Sequence, residues 1–308
     1  MKKSVVVALV ALALLGIAAS LAGCSEMVLL HPKGPIGDSQ RRLIIVAFVL
    51  MLLVVVPVIV MAIWFPLKYR ASNPKAKYDP KWTHSGRIET VVWLVPLAIV
   101  LVLSVITWRE THRLDPYRPL DVGVAPLRID VVSLDWKWLF IYPEQGIAVV
   151  NELVFPARVP LSFRLTSDTV MTSFFIPQLG SQIYAMGGMQ TRLHLMADVE
   201  GVYAGQNQQF SGRGFSTMTF AARALSQQDF EAWVQKVKAS PDKLDIARLD
   251  ALRKPSEKVP VQFFSSIAPG LFEYVMHKAA PMAPHYGDIM MHAQGHGGHG
   301  QPDAAQER

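Results

Sequence analysis

Apolar and polar positions divide this chain into stretches of different texture. Residues 5–19 form a short apolar run behind Lys2 and Lys3, the layout of a bacterial export signal that closes at residue 23. Residues 43–65 carry no charge and exceed the roughly 20 residues that cross a bilayer. Residues 88–108 form a second apolar run of spanning length, with Glu89 at its edge. Pro57 and Pro96 lie inside these runs and predict local kinks, which neighbouring helices accommodate. From about residue 127 to 220 the pattern shortens to apolar–polar alternation, at 127–133, 161–166 and 190–196, with further strand candidates at 147–155 and 169–176. Gly, Pro and Asn/Asp punctuate these segments, so the region reads as a β-sandwich or barrel, and roughly 100 residues suffice for one such core. Ser226 with Asp229 then predicts a helix start. Phe230, Trp233, Val234 and Val237 follow at helical spacing. A further helix is expected over 242–254, and segments 259–264 and 271–278 are rich in Phe and Tyr.

These textures set the expected organisation: a signal over 1–23, an outer segment over 24–42, membrane spans over 43–67 and 88–108 and a loop over 68–87. A β-domain follows over 109–225, an aromatic-rich extension over 226–280 and a tail over 281–308. The tail is poor in aliphatic residues and rich in Gly, His and Met, the composition of a disordered segment. His285, His292, His296 and His299, with Met290 and Met291, read either as a solvated tail or as a transient metal-binding tract.

Charge orients the spans. Lys68, Arg70, Lys75, Lys77, Lys81 and Arg87 face a single acid, Asp79, in the loop between them. Positively charged loops stay in the cytoplasm, so both ends and the β-domain are expected in the periplasm. The net charge of +6 comes largely from this loop and the signal, and does not suggest nucleic acid. Within the β-domain, acids and bases are nearly balanced, whereas a docking face for a basic cytochrome would be acidic. Glu89 is an ionisable residue at the edge of the second span. It reads either as an interfacial acid near a helix N-terminus or as a functional membrane carboxylate.

The chain has one cysteine, Cys24. It follows Leu21-Ala22-Gly23, which resembles a lipoprotein signal-peptidase site. On that reading Cys24 becomes the lipid-carrying mature N-terminus, and acyl chains add membrane affinity. One thiol also limits metal chemistry, since a mixed-valence dinuclear copper centre needs two bridging thiolates together with imidazoles.

Residues 205–218 read GQNQQFSGRGFSTM. This resembles the copper loop GQCxExCGxxHxxM of the second subunit of haem–copper respiratory oxidases. Gly205, Gln206, Gly212 and Met218 match; Asn207 and Ser211 stand at the cysteine positions, Gln209 at the glutamate and Phe215 at the histidine. Thr172, in Val170-Met171-Thr172-Ser173-Phe174-Phe175-Ile176-Pro177, stands at the family's upstream histidine. Ser173 to Met189 is similar to the quinol oxidase pattern SFFIPxLGSQIYAMxGM, and residues 89–96 are similar to ExVWTxxP, whose glutamate marks a proton-path entrance. Trp136-Lys137-Trp138 resembles the family's WxW segment, read here as aromatics that pack the sandwich onto a membrane subunit.

The resemblance, to the quinol-oxidising branch of the subunit II family, implies a fold and a role. The fold is a two-helix transmembrane hairpin, then a cupredoxin-like Greek-key β-sandwich with a C-terminal helical extension; a generic immunoglobulin-like sandwich is the other fold that fits the strands. The role is that of a subunit without a redox metal in a proton-pumping quinol oxidase that reduces O₂ to water. Its haems, catalytic copper and quinol are expected in the partner subunit I, within a hetero-oligomer of further membrane subunits, and no cytochrome c docking is expected. This chain alone is expected to hold no catalytic residue, metal or cofactor. A cytochrome c oxidase subunit II with an unusual copper site and a membrane-tethered metal-binding lipoprotein are the alternatives.

Overall fold

The computed structural model describes residues 27–74, 81 and 83–279. Cys24, residues 75–80 and 82 of the loop between the spans, and the tail over 281–308 lie outside the described residues.

Helices α1 (Pro35–Lys68) and α2 (Gly86–Arg113) are long and apolar enough to cross a membrane. Both outrun the charge-free stretches. α1 starts with Pro at its first turn, where a missing N–H is harmless. Its early charges satisfy one another, with Asp38 bridging Arg41 at 2.9 Å and Arg42 at 3.1 Å. Pro57 and Pro66 sit inside the helix without ending it. α2 continues past Trp108 to Arg113, where Arg113 reaches Glu110 at 3.6 Å.

The β-domain pairs two sheets. The first contains β1 (Leu127–Leu134), β2 (Lys137–Tyr142), β3 (Ile147–Val150), β5 (Leu161–Ser167), β8 (Thr191–Leu195) and β11 (Gln262–Phe264), in the order β11-β3-β2-β1-β5-β8. The second contains β4 (Glu152–Pro156), β6 (Thr172–Phe175), β7 (Ile183–Ala185), β9 (Gly201–Asn207) and β10 (Thr219–Leu225), in the order β4-β10-β9-β6-β7. The pairs β1/β5 and β4/β10 are parallel and the remaining pairs antiparallel. This crossing topology is that of the cupredoxin-like sandwich. Residues 183–185 form edge strand β7, whose backbone pairs with β6.

The chain changes sheets between β3 and β4 at Asn151, whose φ is 58°. Asparagine tolerates this left-handed corner better than most residues. Its side chain also fixes the corner, accepting from Trp138 N at 2.9 Å and donating to Val259 O at 2.8 Å.

Between the sheets lies an aromatic core. Phe174 stacks on Phe220 with centroids 5.2 Å apart, and Trp138 meets Phe174 edge-on at 5.4 Å. Trp138 is fully buried here, so it packs the interior of the sandwich and not a membrane subunit. A second apolar cluster covers the outer face of the first sheet. There Val132, Leu139, Ile141 and Val150 meet Leu249, Phe264, Phe272 and Val275 of the C-terminal extension. The extension consists of α3 (Gln227–Lys238), α4 (Ile246–Leu252), β11 and α5 (Leu271–Ala279). Because it buries the outer face, β2 and β3 are buried at every position and β1 at all but Arg128. Apolar–polar alternation, the mark of a half-buried strand, is therefore mostly lost in β1. α3 starts where expected, with Ser226 Oγ accepting from Asp229 N at 3.1 Å. α4 is shorter than the predicted 242–254, because Asp245 caps it by accepting from Arg248 N at 2.7 Å.

The helices meet the sandwich at its β7/β8 edge. Lys33 N donates to Gln178 O at 2.7 Å, Gly37 N to Leu179 O at 3.0 Å, and Gln40 Nε2 to Ser181 Oγ at 2.7 Å. An added Cβ on Gly37 would lie 3.2 Å from Gln178 O and 2.9 Å from Pro32 Cβ, so the close approach requires glycine.

Candidate functional site

The segment between β9 and β10 lies at the end of the sandwich that also holds the β1–β2 turn. Asn207, the last residue of β9, is buried, and its amide organises the segment. Its Oδ1 accepts from Ser173 N at 2.8 Å and Gln209 N at 2.9 Å. Its Nδ2 donates to Gln209 O at 2.8 Å and Ser211 Oγ at 3.0 Å, and lies 3.5 Å from Met218 Sδ. One side chain thus brings together Asn207, Gln209, Ser211 and Met218. Thr172 lies on the neighbouring strand β6, but its hydroxyl turns away and donates to Ser133 Oγ at 2.8 Å. Phe215 is half-buried in a short 3₁₀ turn and packs against Phe210 at 5.8 Å.

The backbone frame has steric causes. An added Cβ on Gly205 would lie 2.1 Å from the Phe220 ring, and one on Gly214 would lie 2.4 Å from Trp136. Trp136 Nε1 donates to Ser211 O at 2.7 Å, so the first tryptophan of the WxW segment lies against this loop. Gly214, Ser173 and Trp136 are therefore parts of the site that ligand positions alone do not identify. The GxG spacing around Arg213 is the sequence signal that would have pointed to Gly214.

Lys137, between the tryptophans, is buried. Its Nζ donates to Asp135 O at 2.6 Å and Lys254 O at 3.1 Å, tying the β1–β2 turn to the extension. Burial lowers its pKa, against the raising influence of Asp135 and Asp168. Asp168 is itself buried and takes two 2.7 Å bonds from Arg253. A buried carboxylate needs such pairing.

The donors gathered at the loop are amide, hydroxyl and backbone groups and one thioether. Among the described residues, no three His, Cys, Asp or Glu side chains converge as a metal-binding group. Glu89 lies remote in sequence and in fold, in the first turn of α2; it is exposed and makes no bond to another described side chain. His194 is half-buried on β8, beside the end of α2.

Residues 128–225 match the family model for the cytochrome c oxidase subunit II periplasmic domain, and residues 238–282 match the COX aromatic-rich motif. The chain is 56% identical over 285 residues to the cytochrome bo(3) ubiquinol oxidase subunit 2 of Pseudomonas aeruginosa, covering 92% of this chain and 85% of that one. It is 52% identical over 260 residues to the ubiquinol oxidase subunit 2 of Acetobacter aceti, covering 84% of each. It is 36% identical over 237 residues to the quinol oxidase subunit 2 of Bacillus cereus, covering 76% of this chain and 81% of that one. With this identity along nearly the whole chain, two apolar helices and the periplasmic β-domain in sequence, the protein belongs to the ubiquinol oxidase subunit II family of the haem–copper oxidases.

Proposed function

We propose that this chain is the non-redox subunit II of a proton-pumping quinol oxidase, and that it carries no dinuclear copper centre. The observation that carries this reading is Asn207. A copper centre of the family's type requires thiolates and imidazoles. Here the amide that stands at a cysteine position accepts two backbone N–H bonds and donates to Gln209 O and Ser211 Oγ. The polar groups of the loop bond to one another, and the donor set does not fit the metal.

Electrons then bypass this chain and pass from quinol directly to the partner subunit I, which holds the haems and the catalytic copper. The β-domain lies in the periplasm, and the near balance of acids and bases along its sequence accords with the absence of a cytochrome c docking role. Cys24 carries the lipid that helps to hold the N-terminus at the outer leaflet. Glu89, at the cytoplasmic end of α2, lies at the entrance of the proton path into the partner.

Oxygen uptake by the purified complex tests both parts. Turnover is expected with a short-chain ubiquinol and not with reduced soluble cytochrome c, and Glu89→Gln is expected to slow quinol turnover several-fold. Rapid turnover with cytochrome c refutes the electron route, and full activity of the Glu89 variant refutes the proton-entrance role.

A further inference from the structure

Two adjoining hollows lie where the helical hairpin meets the sandwich. The lower is a groove of about 590 Å³ between α1 and α2, lined by Leu43, Val46, Ala47, Leu103 and Ile106, with Glu110 and several Thr and Gln side chains towards its outer end. The upper is a hollow of about 300 Å³ at the end of α2, lined by Arg113, Asp115, Arg118, Asp121 and His194. Leu114, Pro116 and Ser181 line both, so the two adjoin. A mainly apolar groove on the membrane span therefore neighbours a charged chamber at its outer edge.

The chamber's charges balance, with two guanidinium groups and two carboxylates. Arg118 makes no hydrogen bond or ion pair with another described side chain, and Arg113 makes a 3.6 Å contact with Glu110. Asp115 and Asp121 each use one carboxylate oxygen, accepting from Tyr117 N at 2.9 Å and Gly123 N at 3.4 Å. Both signs of charge are thus available to a ligand within one chamber.

We propose that these two adjoining hollows together bind one phospholipid with a zwitterionic ethanolamine headgroup. An acyl chain lies along the apolar groove, the phosphate meets Arg118 and Arg113, and the ammonium meets Asp115 and Asp121. Charge complementarity selects this occupant. An anionic phosphatidylglycerol headgroup offers the two carboxylates hydroxyl donors but no cation, whereas an ethanolamine headgroup offers an ammonium. A packed helix from a partner would bury unpaired charges, which is costly. Position supports the choice, because the apolar part belongs to a membrane span and the charged part lies at its end.

The test uses the whole complex, extracted in mild detergent and washed until bulk lipid is gone. Native mass spectrometry then reads the lipid that stays, with haem content as the measure of assembly. The washed wild-type complex is expected to retain phosphatidylethanolamine, and in add-back titration to take it up in preference to phosphatidylglycerol. Arg118→Ala and Ile106→Trp, which fills the groove, should each lower retention several-fold, while Arg118→Lys should keep most of it. Preference for phosphatidylglycerol, or equal retention by wild type and both disruptive variants, overturns the proposal. So does a segment of another subunit seated in the groove of the assembled complex. If the variants fail to assemble, the wild-type lipid preference decides the matter alone.

Discussion

Asn207 shows how a single side chain takes over a structural duty. Its carboxamide accepts from two backbone N–H groups, that of the buried Ser173 and that of the half-buried Gln209. Replacing it with Ala leaves the buried Ser173 N–H unpaired, at a cost of about 1–3 kcal/mol. Asn207→Ala should therefore lower the thermal midpoint of the β-domain measurably, whereas Ser216→Ala, on an exposed residue of the same loop, should not. The substituted positions were legible in the sequence, because Gly205, Gly212 and Met218 keep the frame around them. The role of Asn207 was not legible, since Ser173 comes from another strand and reaches it only through the pairing of β6 with β9. His194 supplies a second prediction at this scale. Burial and then Arg192 hold its pKa below the ordinary 6.5. Arg113, Arg118, Asp115 and Asp121 line the same hollow. The unfolded chain takes up this proton first as pH falls. Stability therefore declines from about pH 6.5 downward, until the folded imidazole also protonates. His194→Gln should shrink the loss of thermal stability between about pH 7.5 and about pH 5.5, since it removes a group that titrates in this window. An unchanged loss would show that His194 plays no part.

At the scale of elements, the C-terminal extension completes the sandwich. β11 pairs with β3, which would otherwise be an open edge, and α4 and α5 cover the outer face of the first sheet. Ionic contacts fasten the same junction: Arg164 bridges Asp130 at 2.5 Å and Glu273 at 3.1 Å, and Arg253 holds Asp168. Phe264 is fully buried in this layer. Phe264→Ala should destabilise the domain by about 3–5 kcal/mol and speed amide exchange in β3, while exchange in β6 and β9 changes less. Uniform acceleration in all three strands would mean that the extension is not a separate layer. The sequence announced the extension's helices through capping and spacing. It did not announce which surface they cover, because an apolar helix face specifies burial without naming its partner. The hidden clue was the continuous apolar run 138–142, which suits a strand covered on both faces better than one exposed on its outer side. The membrane helices were legible in kind but short in extent. Charged turns at their outer ends form their own ion pairs, and a search for charge-free residues stops before them.

At the scale of the whole molecule, a two-pass hairpin carries a cupredoxin-like domain whose β9–β10 loop is held by the Asn207 amide network. Membership of the quinol oxidase family rests on identity along nearly the entire chain. The claim that this chain takes no part in electron transfer rests on the donors at positions 172, 207, 209, 211, 215 and 218. The near-infrared absorption of the oxidised, purified complex tests that claim most directly, because a mixed-valence copper pair absorbs there. The account predicts no such band. A band that disappears in the Met218→Leu variant would place copper in this chain and contradict it.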